Sequence, residues 1–151
     1  MKKYIGCKMV EAEPMDELTY LEGVKGMSRE NKDYVPGYKV VYPDGYVSWS
    51  PKEVFEKAYL QAGDNNTIEE TNVDDFVKSI EYVQWGDKTT IAIATLCNGF
   101  VITESSSCVD PANFSMDIGS NICKENIYNQ VWRMLGFLLQ TAKEGVKRDG
   151  R

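Results

Sequence analysis

The 151 residues predict an α+β protein: a small antiparallel sheet packed on long C-terminal helices, preceded by a small strand–helix–hairpin–helix module. Three observations carry that reading. Asn98-Gly99 stands between two apolar runs, 89–97 and 100–103, and Asn-Gly supplies the positive φ of a tight hairpin. Ile118, Ile122, Ile127, Val131, Met134 or Leu135, and Leu138 recur at three- and four-residue spacing across 116–143, the period of a helix with one buried side. Nearer the start, Pro43-Asp44-Gly45 separates two aromatic, β-branched runs and so marks a second hairpin. The division that follows is a module over 1–61, a linker over 62–73 and a second domain over 74–151.

In order along the chain, residues 4–13 alternate as a strand, and Pro14 stops it and opens a short helix over 15–22, closed by Gly23 or Gly26. A polar loop covers 28–36, and the hairpin spans 38–48. Ser50-Pro51-Lys52-Glu53 is a full set of helix-start signals: a serine cap, proline at the first helical position and Glu53 to close a capping box. That helix runs to about Leu60, with Val54, Phe55, Ala58 and Tyr59 on its buried side. The aromatics Tyr34, Tyr38, Tyr42, Tyr46, Trp49 and Tyr59 read either as the thin core of so small a module or as an interaction surface. Residues 61–73 are polar and acidic, which makes them the linker.

The second half opens with a strand over 79–85 and a turn at Gly86-Asp87. Residues 89–97 are apolar on both faces, which predicts a central strand covered on both sides. Residues 104–113 read as a loop. Gly119 divides a short helix from a long one, Gly136 marks a close helix contact, and 144–151 is a charged tail.

Composition excludes several functions. A net charge of −6 and a pI near 4.8 count against duplex DNA or an anionic membrane as the main partner. No run reaches the ~18–20 apolar residues of a membrane span, and the first residues do not read as a signal peptide. Cys7, Cys97, Cys108 and Cys123 are scattered, so they read as free thiols in a reducing cytoplasm and not as a metal site. There is no histidine, hence no usual general base for a serine or cysteine nucleophile, and no Walker or GxGxxG loop. Cofactors, metal and catalytic residues are all expected to be none.

Two groups of residues carry binding chemistry. Ser105, Ser106, Ser107 and Asn113, between a strand end and a helix start, offer hydroxyls and backbone N–H groups that suit a phosphate. The same stretch also reads as an ordinary connection in which Asn113 or Ser115 caps the helix. Asn126, Asn129 and Gln130 sit near Lys124, Trp132 and Arg133, a set able to read a base edge and stack on its face, or simply to face water or a subunit contact.

The N-terminal half resembles a recurrent phage and prophage module. The likeness rests on Tyr4-Ile5-Gly6, Val10-Glu11-Ala12-Glu13-Pro14-Met15 and Trp49-Ser50-Pro51-Lys52-Glu53-Val54-Phe55. It implies phage origin and no activity. Leu96-Cys97-Asn98-Gly99-Phe100, the stretch from Glu104 to Pro111, Ala112-Asn113-Phe114, Ile118-Gly119 and the helix with Val131-Trp132 and Leu135-Gly136-Phe137 resemble a phage family. That family is catalogued after gene product forty-nine of a coliphage and gene sixty-six of a Shigella phage, and it includes Thoeris anti-defence protein one. The resemblance implies a non-enzymatic sponge for cyclic ADP-ribose isomers, and in some members for CBASS cyclic oligonucleotides. The resemblance implies an oligomer in the host bacterial cytoplasm, and the apolar strand 91–96 and long helix, with more apolar surface than so small a domain hides, predict a homo-oligomer: at least a dimer through the helices, or a hexamer built as a trimer of dimers. Carried over by motif, Phe100 is the stacking residue, Asn113 the amide and the serines the polar wall. Family members often carry more basic residues at the start of the long helix than the Lys124, Ile127 and Tyr128 found here. The alternative reading is a protein–protein adaptor of phage takeover that uses the aromatic first module.

Overall fold

A computed structural model describes residues 1–28 and 34–146 and confirms the α+β class, with two three-stranded antiparallel sheets and a long C-terminal helix. The loop expected over 28–36 and the tail over 144–151 fall partly outside the described residues. Two compact units emerge, one from residues 1–61 with 141–151 and one from 62–140.

The first unit runs β1 (Glu11–Pro14), α1 (Glu17–Gly23), β2 (Gly37–Val41), β3 (Val47–Pro51) and α2 (Lys52–Ala58), with β1 added to the hairpin to give the order β1-β2-β3. β1 ends at Pro14, which is itself the last strand residue, opposite Tyr38, on an edge where its missing N–H costs nothing. The strand expected from residue 4 begins only at Glu11, because β2 is five residues long and offers no partner further back. Asp16 caps α1, accepting from the Thr19 N–H at 3.0 Å and the Thr19 hydroxyl at 2.6 Å, and these bonds hold its carboxyl below the usual range. The expected capping box at Ser50 does not form. Ser50 is spent in β3 opposite Tyr38, and Pro51 takes the cap position of α2 without a side-chain bond. Most of the aromatics supply the core: Tyr20 is buried, Trp49 donates to the Met15 carbonyl at 2.7 Å, and Phe55 stacks between Tyr38 (4.4 Å) and Tyr59 (4.7 Å). Tyr34 and Tyr46 stay exposed.

The second unit begins inside the expected linker. Gly63 and Thr67 close a small turn over Asn65 and Asn66, both at positive φ, and α3 (Glu70–Phe76) follows with Val73 fully buried. The sheet then runs β4 (Val77–Trp85), β5 (Thr89–Leu96) and β6 (Val101–Ser107), in the order β4-β5-β6. Gly86 and Gly99, at φ +64° and +85°, make the two turns. α4 (Met116–Glu144) is one unbroken helix of 29 residues that buries Gly119, Cys123, Ile127, Val131 and Leu135. This row meets Ala92, Ala94, Leu96, Ile102 and Val73 in a single core.

Two expectations are corrected here. Gly119 does not divide the helix: a Cβ there would collide with the side chain of buried Thr90, so glycine lets α4 lie close to β5, whereas Gly136 faces open space. β5 is central but covered on one face only. Its even positions lie under α4, while on the other face Ile93 is 37% exposed between Glu81 and Thr103, with Val83 (48%) and Val101 (52%) at diagonal positions.

Candidate ligand-binding site

Strand register places every candidate residue of the hairpin. Ser105, Ser106 and Ser107 are not loop residues: they extend β6 and pair with Ile91, Thr90 and Thr89. Serine has little strand preference of its own, but an eight-residue β5 already paired on one side captures a partner on the other. Alternation then splits the serine wall. Ser106 is half-buried on the α4 side, while Ser105 and Ser107 are exposed on the open face. Asn113 closes a 3-10 turn (Pro111–Asn113) held by Asp110, whose carboxylate accepts from the Ala112 N–H at 2.9 Å. The helix cap falls to Ser115, whose hydroxyl accepts from the Ile118 N–H at 3.3 Å, so Asn113 is exposed and not occupied with capping.

Phe100, 54% exposed, sits at the other end of the same hairpin. Its N–H donates to the Asn98 side chain at 3.0 Å. Seven residue steps separate Phe100 from Ser107, about 23 Å at ~3.3 Å per residue. α4 runs in the direction of β5: Gly119 and Cys123 lie against Thr90, and Gln130 further along donates to Glu104, the partner of Ala92. Arg133 therefore stands well beyond Thr90, toward the Phe100 end, about 25 Å along the helix from Met116.

The helix residues do not form one patch. At 100° per residue, Asn126 and Arg133 share the flank of Gln130 over β6, whereas Lys124 lies on the opposite flank. There its ammonium sits 5.2 Å from the Tyr128 ring. Tyr128 in turn is raised above its usual pKa by burial and by Asp74. Beneath α4, burial pushes the Cys123 thiol up, aided by the charge of Glu104, so this cysteine is a packed neutral thiol. The Cys108 thiol donates to the Asp110 carbonyl at 3.1 Å. Sequence reading missed the Glu104–Gln130 pair and the row Trp85–Thr89–Ser107, both of which follow only from register.

The second unit is thus a three-stranded antiparallel sheet roofed on one face by a single long helix, with exposed polar and aromatic groups at both ends of its hairpin. The chain belongs to the Phage protein (N4 Gp49/phage Sf6 gene 66) family, whose model matches residues 66–143, just over half of the chain. All eight candidate site residues (Phe100, Ser105, Ser106, Ser107, Asn113, Lys124, Asn126 and Arg133) lie within that span. No curated protein and no solved structure matches the chain. Among the described residues no helix is long and apolar enough to cross a membrane.

Proposed function

We propose that this protein is a phage anti-defence sponge. It binds and sequesters a cyclic nucleotide immune signal, a cyclic ADP-ribose isomer of Thoeris or a cyclic oligonucleotide of CBASS, without cleaving it, in the host bacterial cytoplasm. Family membership supports the phage setting. The observation that supports binding is that Phe100, Ser105, Ser107, Asn113 and Arg133 are all exposed, and their separation decides how a site would form. Phe100 and Arg133 stand toward one end of the hairpin, Ser107 and Asn113 at the other, too far apart for one chain to close both around a small ligand. A second copy, related by a two-fold axis across the hairpin, sets the Phe100 end of one chain against the Asn113 end of its partner and makes two equal sites. The exposed apolar residues of the open sheet face and of the outer side of α4 (Ile118, Ile122, Trp132) supply the contact for a dimer, or for a hexamer built as a trimer of dimers.

The test is a thermal-shift screen of cyclic ADP-ribose isomers and cyclic di- and trinucleotides. The parent protein shifts, Phe100→Ala loses the shift, and the ligand comes back intact after heat denaturation. Stacking of a base on an aromatic is worth roughly 1–3 kcal/mol, enough to be lost visibly. Equimolar mixing of Phe100→Ala with Asn113→Ala chains restores one intact site per mixed dimer, and about half of randomly paired dimers are mixed, so binding returns to about a quarter of the parent capacity in a cross-subunit site. Recovery of a hydrolysed product overturns the sponge. Capture of a host protein, with no nucleotide shift, favours the adaptor reading, for which Tyr34 and Tyr46 are the exposed aromatics of the first unit.

A further inference from the structure

We propose that Trp85 is the stacking platform of a nucleobase subsite on the open sheet face, with the Thr89–Ser107 hydroxyl pair taking the ribose. The inference rests on the nucleotide reading above and adds a contact that reading does not contain. Register sets the three residues in one row: Trp85 opposite Thr89, and Thr89 opposite Ser107, all with side chains on the face away from α4. Directly opposed residues lie ~5 Å apart, so the row spans about 10 Å, the length of a nucleoside. Trp85 is 70% exposed, the most of the apolar residues in the three strands. The Thr89 and Ser107 hydroxyls are 2.8 Å apart, a bond that uses one O–H and leaves the other O–H and several lone pairs for a ligand.

The row lies at the rim of the apolar patch and not at its centre. The exposed apolar residues Val83, Ile93 and Val101 run diagonally across the face, each one row further from Trp85, and are what a second copy would cover, whereas Trp85 shares the end row with hydroxyls and adjoins the Gly86–Lys88 turn. Glu81, the acidic residue on this face of β4, is four residues from Trp85, ~13 Å away, while the adjoining turn sets exposed Asp87 beside exposed Lys88, so a neutral base and not a phosphate suits the platform. An aromatic on an open sheet face is also how sheet-based RNA binders hold a base.

Calorimetry with cyclic ADP-ribose, and with AMP as the smallest probe, tests the subsite, with sedimentation run alongside. Trp85→Phe keeps most of the affinity, while Trp85→Ala weakens both probes about tenfold or more with unchanged mass. Trp85→Leu, apolar and bulky but unable to stack, behaves like alanine and decides the matter if the alanine chain fails to fold. Full affinity in Trp85→Ala and Trp85→Leu, beside loss in Phe100→Ala, overturns this subsite and leaves the sponge standing. A fall in oligomer mass on Trp85→Ala makes the residue a subunit contact and overturns it too. No binding of either probe by the parent protein overturns this subsite, and the sponge then stands or falls on the wider screen of cyclic nucleotides.

Discussion

Two glycines in one helix should respond to alanine with opposite signs. In a solvent-facing helical position, Gly→Ala gains up to ~1 kcal/mol, because alanine loses less backbone freedom on folding. Gly136 is such a position: nothing lies within 4 Å of where its Cβ would stand. Gly119 is buried, and its added Cβ would meet the Thr90 hydroxyl and, at 2.8 Å, the Thr90 Cβ. Thr90 has no room to retreat, being fully buried and paired with Gln84 on one side and Ser106 on the other. Forcing one methyl into a packed core costs typically 1–3 kcal/mol, which outweighs the propensity gain. Gly119→Ala is therefore expected to destabilise by about 1–2 kcal/mol, a Tm drop of roughly 2–8 °C for a chain of this size, while Gly136→Ala raises Tm by up to ~4 °C. Thermal unfolding followed by circular dichroism reads both. Adding Thr90→Ala to Gly119→Ala clears the hydroxyl and should recover part of the loss, a coupling of roughly 0.5–3 kcal/mol. If Gly119→Ala stabilises as much as Gly136→Ala, the close approach of α4 to β5 is wrong.

Val73→Ala tests whether α3 belongs to the second core. Losing about two buried methylenes at ~0.8 kcal/mol each, plus a cavity, predicts a loss near ~2 kcal/mol in urea unfolding, and a linker residue would give none. Thiol labelling of the native protein should modify exposed Cys97 and spare buried Cys123 until unfolding; equal rates would contradict the packing. The Cys123 thiol also has a pH signature. Its pKa is raised in the fold, so the unfolded chain releases that proton first. Stability is then full below the ordinary thiol value near ~8.5 and falls as pH rises from there toward the folded value. Cys123→Ala should flatten that part of the alkaline limb, and an unchanged slope would assign it to Tyr82 and Tyr128, which burial also raises.

What was legible in the chain was what local chemistry decides alone. Gly99 and Gly45 made turns because few residues but glycine accept φ +85°, and the 3.6-residue spacing from Ile118 onward made α4. What was not legible depended on who pairs with whom. Ser50 had every local reason to cap a helix, but opposite Tyr38 a strand hydrogen bond was on offer and took it. The acidic stretch before Val77 looked like a linker because its single buried anchor, Val73, has no apolar neighbour in sequence that repeats at helical spacing beyond Phe76 and Ile68. Gly119 looked like a break because its partner, Thr90, lies 29 positions away.

The candidate site follows the same division. Residue types suggested hydroxyls, amides and an aromatic, yet placing them together required treating Glu104 to Asn113 as one loop. Extending β6 through Ser107 converts that loop into a ruler. Once Ser105 to Ser107 are strand, Phe100 and Asn113 are held rigidly at opposite ends, and no side-chain motion brings them within one ligand's reach. The separation turns subunit pairing from an accessory into a condition of the binding proposal. A chain that stays single in sedimentation at every concentration, yet binds one nucleotide with loss on both Phe100→Ala and Asn113→Ala, would require a different strand register from the one that pairs Thr89 with Ser107.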